Sequence, residues 1–177
     1  MAVYKIFPEK DAFISSHDPA QNTGRDEVLE ISNTNAINLN TSAQGDVPAV
    51  KRTLIQFKTT DINDVITNKI GNAAFSSSLN LYLANATVAP LDYTLKAYPV
   101  SGAWDMGTGR VSDIPKTTDG CSWGWRGASG SNAWTSAGGD YYTNKSGSSQ
   151  DFLYTSNKDI SMDVTNMVKL WNSSSID

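Results

Sequence analysis

The sequence predicts an all-β protein, an antiparallel β-sandwich of the jelly-roll type. Short stretches alternate apolar and polar residues between turn residues, which is typical of half-buried strands. Ser, Thr, Asn, Asp and Gly are abundant, and long helix-forming stretches are absent. We therefore expect about eight or nine strands, one or two short helical turns, and one sandwich domain over residues 1–177.

The predicted strands follow the alternation along the chain. Pro8 is expected to end the first of them, because proline cannot donate a hydrogen bond to a ladder. The polar residues 33–48 are predicted to form an exposed loop, in which Ile37 and Leu39 could dock a small strand. The strands are expected at 3–7, 11–14, 28–31, 51–58, 78–84, 93–100, 152–154 and 160–164.

Two short helices are predicted where apolar residues recur at spacings of three and four. The first covers residues 59–70 and is expected to be capped by Thr60 or Asp61. The second follows the last predicted strand, with Asp163 or Thr165 as its cap.

Charge and cysteine content exclude several classes of protein. The formal net charge is −4, which argues against a broad electrostatic grip on nucleic acid or on an anionic membrane. Cys121 is the single cysteine, so the chain forms no internal disulfide. We see neither a signal peptide nor an apolar run long enough to span a membrane, and we expect folding in a reducing cytoplasm.

Residues for catalysis or metal binding are sparse in the sequence. His17 is the only histidine and lies in a turn without a nucleophile motif, so we expect an exposed loop residue. Calcium at Asp61–Asp64 is the metal alternative, but this segment lacks the glycine and terminal glutamate of an EF-hand loop. We therefore predict no cofactor and no enzyme activity, with a carboxylate-pair hydrolase kept as an open alternative.

An aromatic cluster within a long Gly-rich insertion, residues 101–145, is the most informative feature. Three interpretations stay open: an anchor for an irregular loop, a protein interface, or a glycan contact. In the last two, an arginine beside one tryptophan would add a stacking or hydrogen-bonding group. The candidate contact residues are Trp104, Trp123, Trp125, Arg126, Trp134, Tyr141 and Tyr142.

Several segments, in order, resemble the DNRLRE-type domain, a jelly roll related to carbohydrate-binding modules, in the version carried by tailed-phage virion proteins. Each segment is weakly specific alone, but the ordered set covers most of the chain. The matching pieces are Asp11–Ile14, Pro19, Asn22–Gly24, Leu29–Ile31, Arg52–Phe57, Asp61–Ile62, Leu79–Leu83, Trp104–Arg110, Asp119–Trp123 and Asp163–Val168.

The resemblance implies a structural protein of the virion: capsid decoration, a neck or tail component, or a fibre-associated part. Its partners would be other virion proteins and copies of itself, and it would be made in the host cytoplasm. The alternative is a carbohydrate-binding module or adhesin for a host surface glycan. Such domains continue into a final core strand, and we expect that strand either beyond Asp177 or from a neighbouring chain. A sandwich without it would have an unpaired edge that is open for strand addition.

Overall fold

A computed structural model describes residues 2–34, 49–71, 73–84, 92–145, 147–154 and 159–175. In these residues, seven strands form small antiparallel sheets and the helices are short, which confirms the all-β class. The contacts divide the chain into two compact units. Unit 1 comprises Met1–Ile6, Lys58–Ser101 and Tyr141–Asp177; unit 2 comprises Phe7–Phe57 and Gly102–Asp140.

Unit 2 is built on a three-stranded antiparallel sheet. Its strands are β1 (Pro8–Ser15), β2 (Ser32–Thr34) and β3 (Ala49–Phe57), and β3 lies in the centre. Ala12 pairs with Leu54, and the register shifts near Pro8. The predicted strands 11–14 and 51–58 are thus confirmed. The core of the unit consists of the buried residues Ala12, Phe13, Ile14, Leu54, Trp104, Cys121 and Trp134.

The predicted strand at 3–7 is wrong. Pro8 was expected to end the first strand, but the first strand begins at Pro8. β1 is an edge strand, and Pro8 occupies its first position. A missing N–H is tolerated there, since proline is acceptable at a strand start. The alternation at Val3–Phe7 therefore does not correspond to a strand.

The predicted strand at 28–31 is also wrong, since β2 begins at Ser32. Residues 28–31 are held by side chains of β3, not by a ladder of backbone hydrogen bonds. The Thr53 hydroxyl donates to the Glu30 carbonyl at 3.1 Å, and the Lys51 ammonium pairs with the Glu30 carboxylate. Most of the polar loop predicted at 33–48, with Ile37 and Leu39, lies outside the described residues.

A side chain occupies the outer edge of β1 in unit 2. The Phe13 amide donates to the Thr23 hydroxyl oxygen at 3.0 Å, and the same hydroxyl donates to the Phe13 carbonyl. Thr23 is buried, so both backbone groups of Phe13 are satisfied away from water.

Among its described residues, unit 1 contains two strand pairs and two helices. β4 (Ser78–Leu81) pairs with β7 (Ile160–Asp163), and β5 (Tyr93–Ala97) pairs with β6 (Ser148–Phe152). These strands confirm the predictions at 78–84, 93–100 and 160–164. The strand predicted at 152–154 is displaced, since β6 ends at Phe152. The ring of Phe152 stacks on that of Tyr93, with centroids 5.0 Å apart.

The side chain of Gln150 links the two strand pairs of unit 1. The Gln150 amide nitrogen donates to the Asp159 carbonyl at 3.1 Å, and its oxygen accepts from the Ser161 amide at 2.6 Å. Gln150 lies on β6 and Ser161 on β7, so an amide side chain stands where a backbone ladder would join neighbouring strands.

The helices lie where the apolar spacing predicts them, but their caps differ. Helix α1 (Thr59–Asp64) continues as wider π-helical turns over Val65–Ile70, and α2 spans Thr165–Asn172. The expected caps Thr60, Asp61 and Thr165 lie inside the helices, and the residues at the N-cap positions, Lys58 and Val164, make no side-chain cap hydrogen bond. Asp163 lies before the α2 cap position and accepts from the Thr165 amide at 2.8 Å. Neither described helix could span a membrane.

Candidate functional site

Asn22 is the centre of the segment that carries most of the sequence motifs. It lies in unit 2, after β1, and its side chain is fully buried. Its Nδ2 donates to the carbonyls of Met106 at 2.7 Å and Cys121 at 2.9 Å. Its Oδ1 accepts from the amides of Gly24 at 3.2 Å and Gly109 at 2.8 Å. All four hydrogen-bonding positions of the amide are therefore filled.

Glycines let the backbone approach Asn22 closely. A Cβ on Gly24 would lie 2.0 Å from the Met106 carbonyl oxygen, which is inside any permitted contact. A Cβ on Gly107 would lie 2.4 Å from Asn22 Oδ1, and Gly107 also has a φ of +74°. The resemblance segments Asn22–Gly24, Trp104–Arg110 and Asp119–Trp123 thus meet around one amide.

Two aspartates fasten the outer turns of this network. The Thr108 hydroxyl and amide donate to the Asp119 carboxylate at 2.6 and 2.9 Å, and these bonds lower the pKa of Asp119. The Thr117 hydroxyl and the Arg110 amide donate to Asp113 at 2.6 and 2.8 Å, and they lower its pKa in the same way. Hydrogen bonds to a carboxylate favour its charged form, so both residues act as turn anchors.

The four tryptophans of the insertion have different environments. Trp104 and Trp134 are buried; the Lys10 ammonium lies over the Trp104 ring, 4.5 Å from its centroid. Trp134 Nε1 donates to the Ser122 carbonyl at 2.9 Å, so the polar end of this ring is also used internally. Both rings contribute to the core of unit 2.

Trp123 is partly covered by two neighbours. The Arg52 guanidinium lies 5.2 Å from the ring centroid and donates to the Gly138 carbonyl at 2.6 Å. A Cβ on Gly138 would lie 2.8 Å from the ring, so this glycine packs directly against it. Trp125 and Arg126 are half-buried and are positioned by backbone contacts, including a bridge between Trp125 and Ala133.

Tyr141 and Tyr142 belong to unit 1, whereas the other five predicted contact residues belong to unit 2. The Tyr142 amide donates to the Pro99 carbonyl at 2.9 Å, and the Tyr141 ring lies 5.2 Å from that of Tyr98. The seven residues are therefore divided between the two units.

A cavity of about 570 Å³ in unit 2 was not predicted from the sequence. Its wall includes Ser15, His17 and Asp18 from the end of β1 and its turn, Glu30 and Ser32 near β2, and Lys51 of β3. No local pattern marks it, because its groups come from separate stretches that only the sheet brings together. The paired residues Glu30 and Lys51 carry opposite charges, but this alone does not indicate a cavity.

The described residues give no support for a metal site or for a reactive cysteine. In the described part of the chain no three His, Cys, Asp or Glu side chains come together in a way that could hold a metal ion. His17 is exposed, as expected from the sequence. Cys121 is fully buried, and burial raises the pKa of its thiol to about 12, so it stays protonated at neutral pH.

Comparison of the chain with protein-family models, with curated proteins and with solved structures gave no match.

Proposed function

We propose that the chain is a non-enzymatic structural protein of a tailed-phage particle, a jelly-roll module that acts through protein contacts. The observation that carries the proposal is that the segments matching the resemblance pack around Asn22 and hydrogen-bond to its side chain. Their side chains and glycines fill an internal hydrogen-bond network, which is what a rigid building block requires.

The irregular insertion supports the same role. Asn22, Asp113 and Asp119 fix its turns, and Trp104 and Trp134 fix its inner side. A loop held in this way presents a fixed surface, so association with a partner loses little conformational freedom. The proposed partners are other virion proteins and further copies of this chain, and the proposed location is the virion.

Glycan binding through the tryptophans receives less support from the geometry. Trp104 and Trp134 are buried, and Trp123 is partly covered by Arg52 and Gly138. Sugar binding by a ring requires an accessible face. We expect the double variant W123A/W125A to lower stability through lost packing, with no change in sugar affinity.

Quantitative mass spectrometry of density-purified phage particles, from cultures that express the chain, tests the proposal. We expect a fixed ratio of its peptides to those of the major capsid protein across the gradient, at a small symmetric multiple. Peptides of an abundant host cytoplasmic protein serve as the control, since they should not follow the particle peak. Absence of the chain from particles, or a ratio that varies across the peak, would refute the structural role.

A further inference from the structure

A groove of about 280 Å³ lies in unit 1, at one end of the β5–β6 strand pair. Apart from one glycine, every residue of its wall carries an ammonium or a hydroxyl group. These residues are Lys96, Tyr98, Thr143, Lys145, Gly147, Ser148 and Ser149. We propose that the groove binds a phosphate dianion, either the free ion or the phosphate group of a small ester. This site does not depend on the proposed role in the virion.

Two segments that are distant in the sequence meet at the groove. Lys96 lies on β5, directly opposite Ser149 of β6. The chain before β6 runs beside the continuation of β5, where the Tyr142 amide donates to the Pro99 carbonyl at 2.9 Å. Lys145 follows this contact and lines the same groove as Lys96. The fold thus brings two ammonium groups to one site.

Tyr98 gives the groove a wall that is held in place. A Cβ on Gly147 would lie 2.9 Å from the Tyr98 ring, so the backbone at this glycine packs directly against the ring. The centroid of the same ring lies 5.2 Å from that of Tyr141. These contacts restrict the movement of the ring, and the shape of the groove therefore does not depend on a mobile aromatic side chain.

The two lysines of the groove are not ion-paired within the described part of the chain. The ion pairs found there use other cations, namely Lys51, Arg110 and Lys116. The whole chain has a formal net charge of −4, so two uncompensated cations in one groove are a local exception. Like charges that face one groove raise the local potential and attract an anion.

The acidic residue of β6 does not offset this charge at the wall. Asp151 is absent from the lining of the groove, and its carboxylate accepts from the Thr94 hydroxyl at 2.7 Å. An anion in the groove therefore meets no carboxylate among the lining residues.

Donor number and charge favour phosphate over a carboxylate. The hydroxyls of Thr143, Ser148 and Ser149 make no hydrogen bond to another described side chain or backbone group, so they add donors to those of the lysines. A phosphate group carries a charge of about −1.5 to −2 at pH 7 and three strong acceptor oxygens. It can neutralise both lysines at once, whereas a carboxylate carries one charge. Lysine is a common phosphate-binding residue.

Titration of the full chain by NMR tests the proposal, with inorganic phosphate and phenyl phosphate as probes and sodium chloride at equal ionic strength as the control. We expect saturable shifts of the Gly147, Ser148 and Ser149 amides, with a Kd of about 1 mM. Tighter binding of phenyl phosphate would support an ester as the ligand, and equal or weaker binding would support the free ion. If neither probe gave saturable shifts up to about 20 mM, or if chloride gave the same shifts, the proposal would be overturned.

Acidification provides a second readout. The second pKa of a phosphate ester is about 6, so phenyl phosphate carries mainly one charge at about pH 5, whereas lysine side chains do not titrate in this range. Phenyl phosphate should therefore bind about tenfold more weakly at about pH 5 than at about pH 7.5. An unchanged Kd would contradict recognition of the dianion.

Single substitutions place the binding in the groove. We expect K96Q and K145Q each to weaken binding of the tighter probe about tenfold, since each removes a charged donor. K69Q is the matched control, because Lys69 is an exposed lysine of unit 1 on the π-helical turns and outside the groove.

S149A keeps both charges and removes one hydroxyl donor, so it remains informative if a lysine variant is unstable. We expect it to weaken binding about fivefold. Binding that is unchanged in the groove variants, or weakened equally in K69Q, would overturn the proposal, whatever the particle analysis finds.

Discussion

Replacement of Asn22 by alanine should remove a large part of the stability of unit 2. Asn22 is fully buried, and its amide makes four hydrogen bonds to backbone groups of three separate segments. N22A would leave two carbonyls and two amides without these partners. At about 1 kcal/mol for each group, the free energy of unfolding should fall by about 4 kcal/mol. This is a large part of the total of about 5–15 kcal/mol that is typical of a domain.

Urea denaturation followed by tryptophan fluorescence measures this loss. Four of the five tryptophans lie in unit 2, so the signal reports mainly on the unit that contains Asn22. N33A is the matched control: Asn33 is exposed on β2, and we expect a change within about 0.5 kcal/mol. A loss below about 1 kcal/mol in N22A, with an unchanged m-value, would refute the view that Asn22 organises the insertion.

Three further predictions concern the same unit. G24A should destabilise it by about 3 kcal/mol or more in the same urea assay, because its Cβ would overlap a carbonyl oxygen, whereas G124A, with 3.5 Å of clearance, should fold normally. T108A should raise the pKa of Asp119 in a carbon-13 NMR titration. Folding lowers the pKa of Asp119, so the hydrogen bond stabilises the protein at pH values above the ordinary Asp pKa of about 3.9. The stability difference between wild type and T108A should therefore shrink as the pH falls below about 3.9. If the pKa did not move in T108A, the hydrogen bond would not be its cause. Cys121 should resist iodoacetamide at neutral pH until urea unfolds unit 2; prompt labelling of the native chain would contradict its burial.

Alternation and spacing predict those elements whose regularity is local. The period of two in residues 51–58 marks β3, and the apolar spacing from Ile62 to Ile70 marks α1 and its π-helical continuation. The strand predictions at 3–7 and 28–31 are wrong because of contacts with distant parts of the chain. Pro8 starts a strand because β1 is an edge, and residues 28–31 are held by side chains of β3 rather than by a ladder. Neither fact is visible in the local sequence.

At the candidate site, too, the sequence identifies residues by type but does not predict their burial or their distant contacts. The aromatic residues of the insertion could be recognised by composition, but the sequence could not separate buried Trp134 from half-buried Trp125. From the sequence, Asn22 stands out only as part of the matching segment Asn22–Gly24, although its side chain joins three segments. Its role depends on backbone groups about 90 positions away, and such contacts leave no periodic signal.

The hydroxyl of Thr23 on the edge of β1 also bears on how copies of the chain can associate. An unpaired strand edge invites another chain to add a strand, and this is a common route to aggregation. Because Thr23 engages both backbone groups of Phe13, an incoming strand would have to displace a buried side chain before it could pair there. A protein packed at high local density in an ordered assembly benefits from this protection, since it steers association toward specific contacts and away from indiscriminate strand stacking.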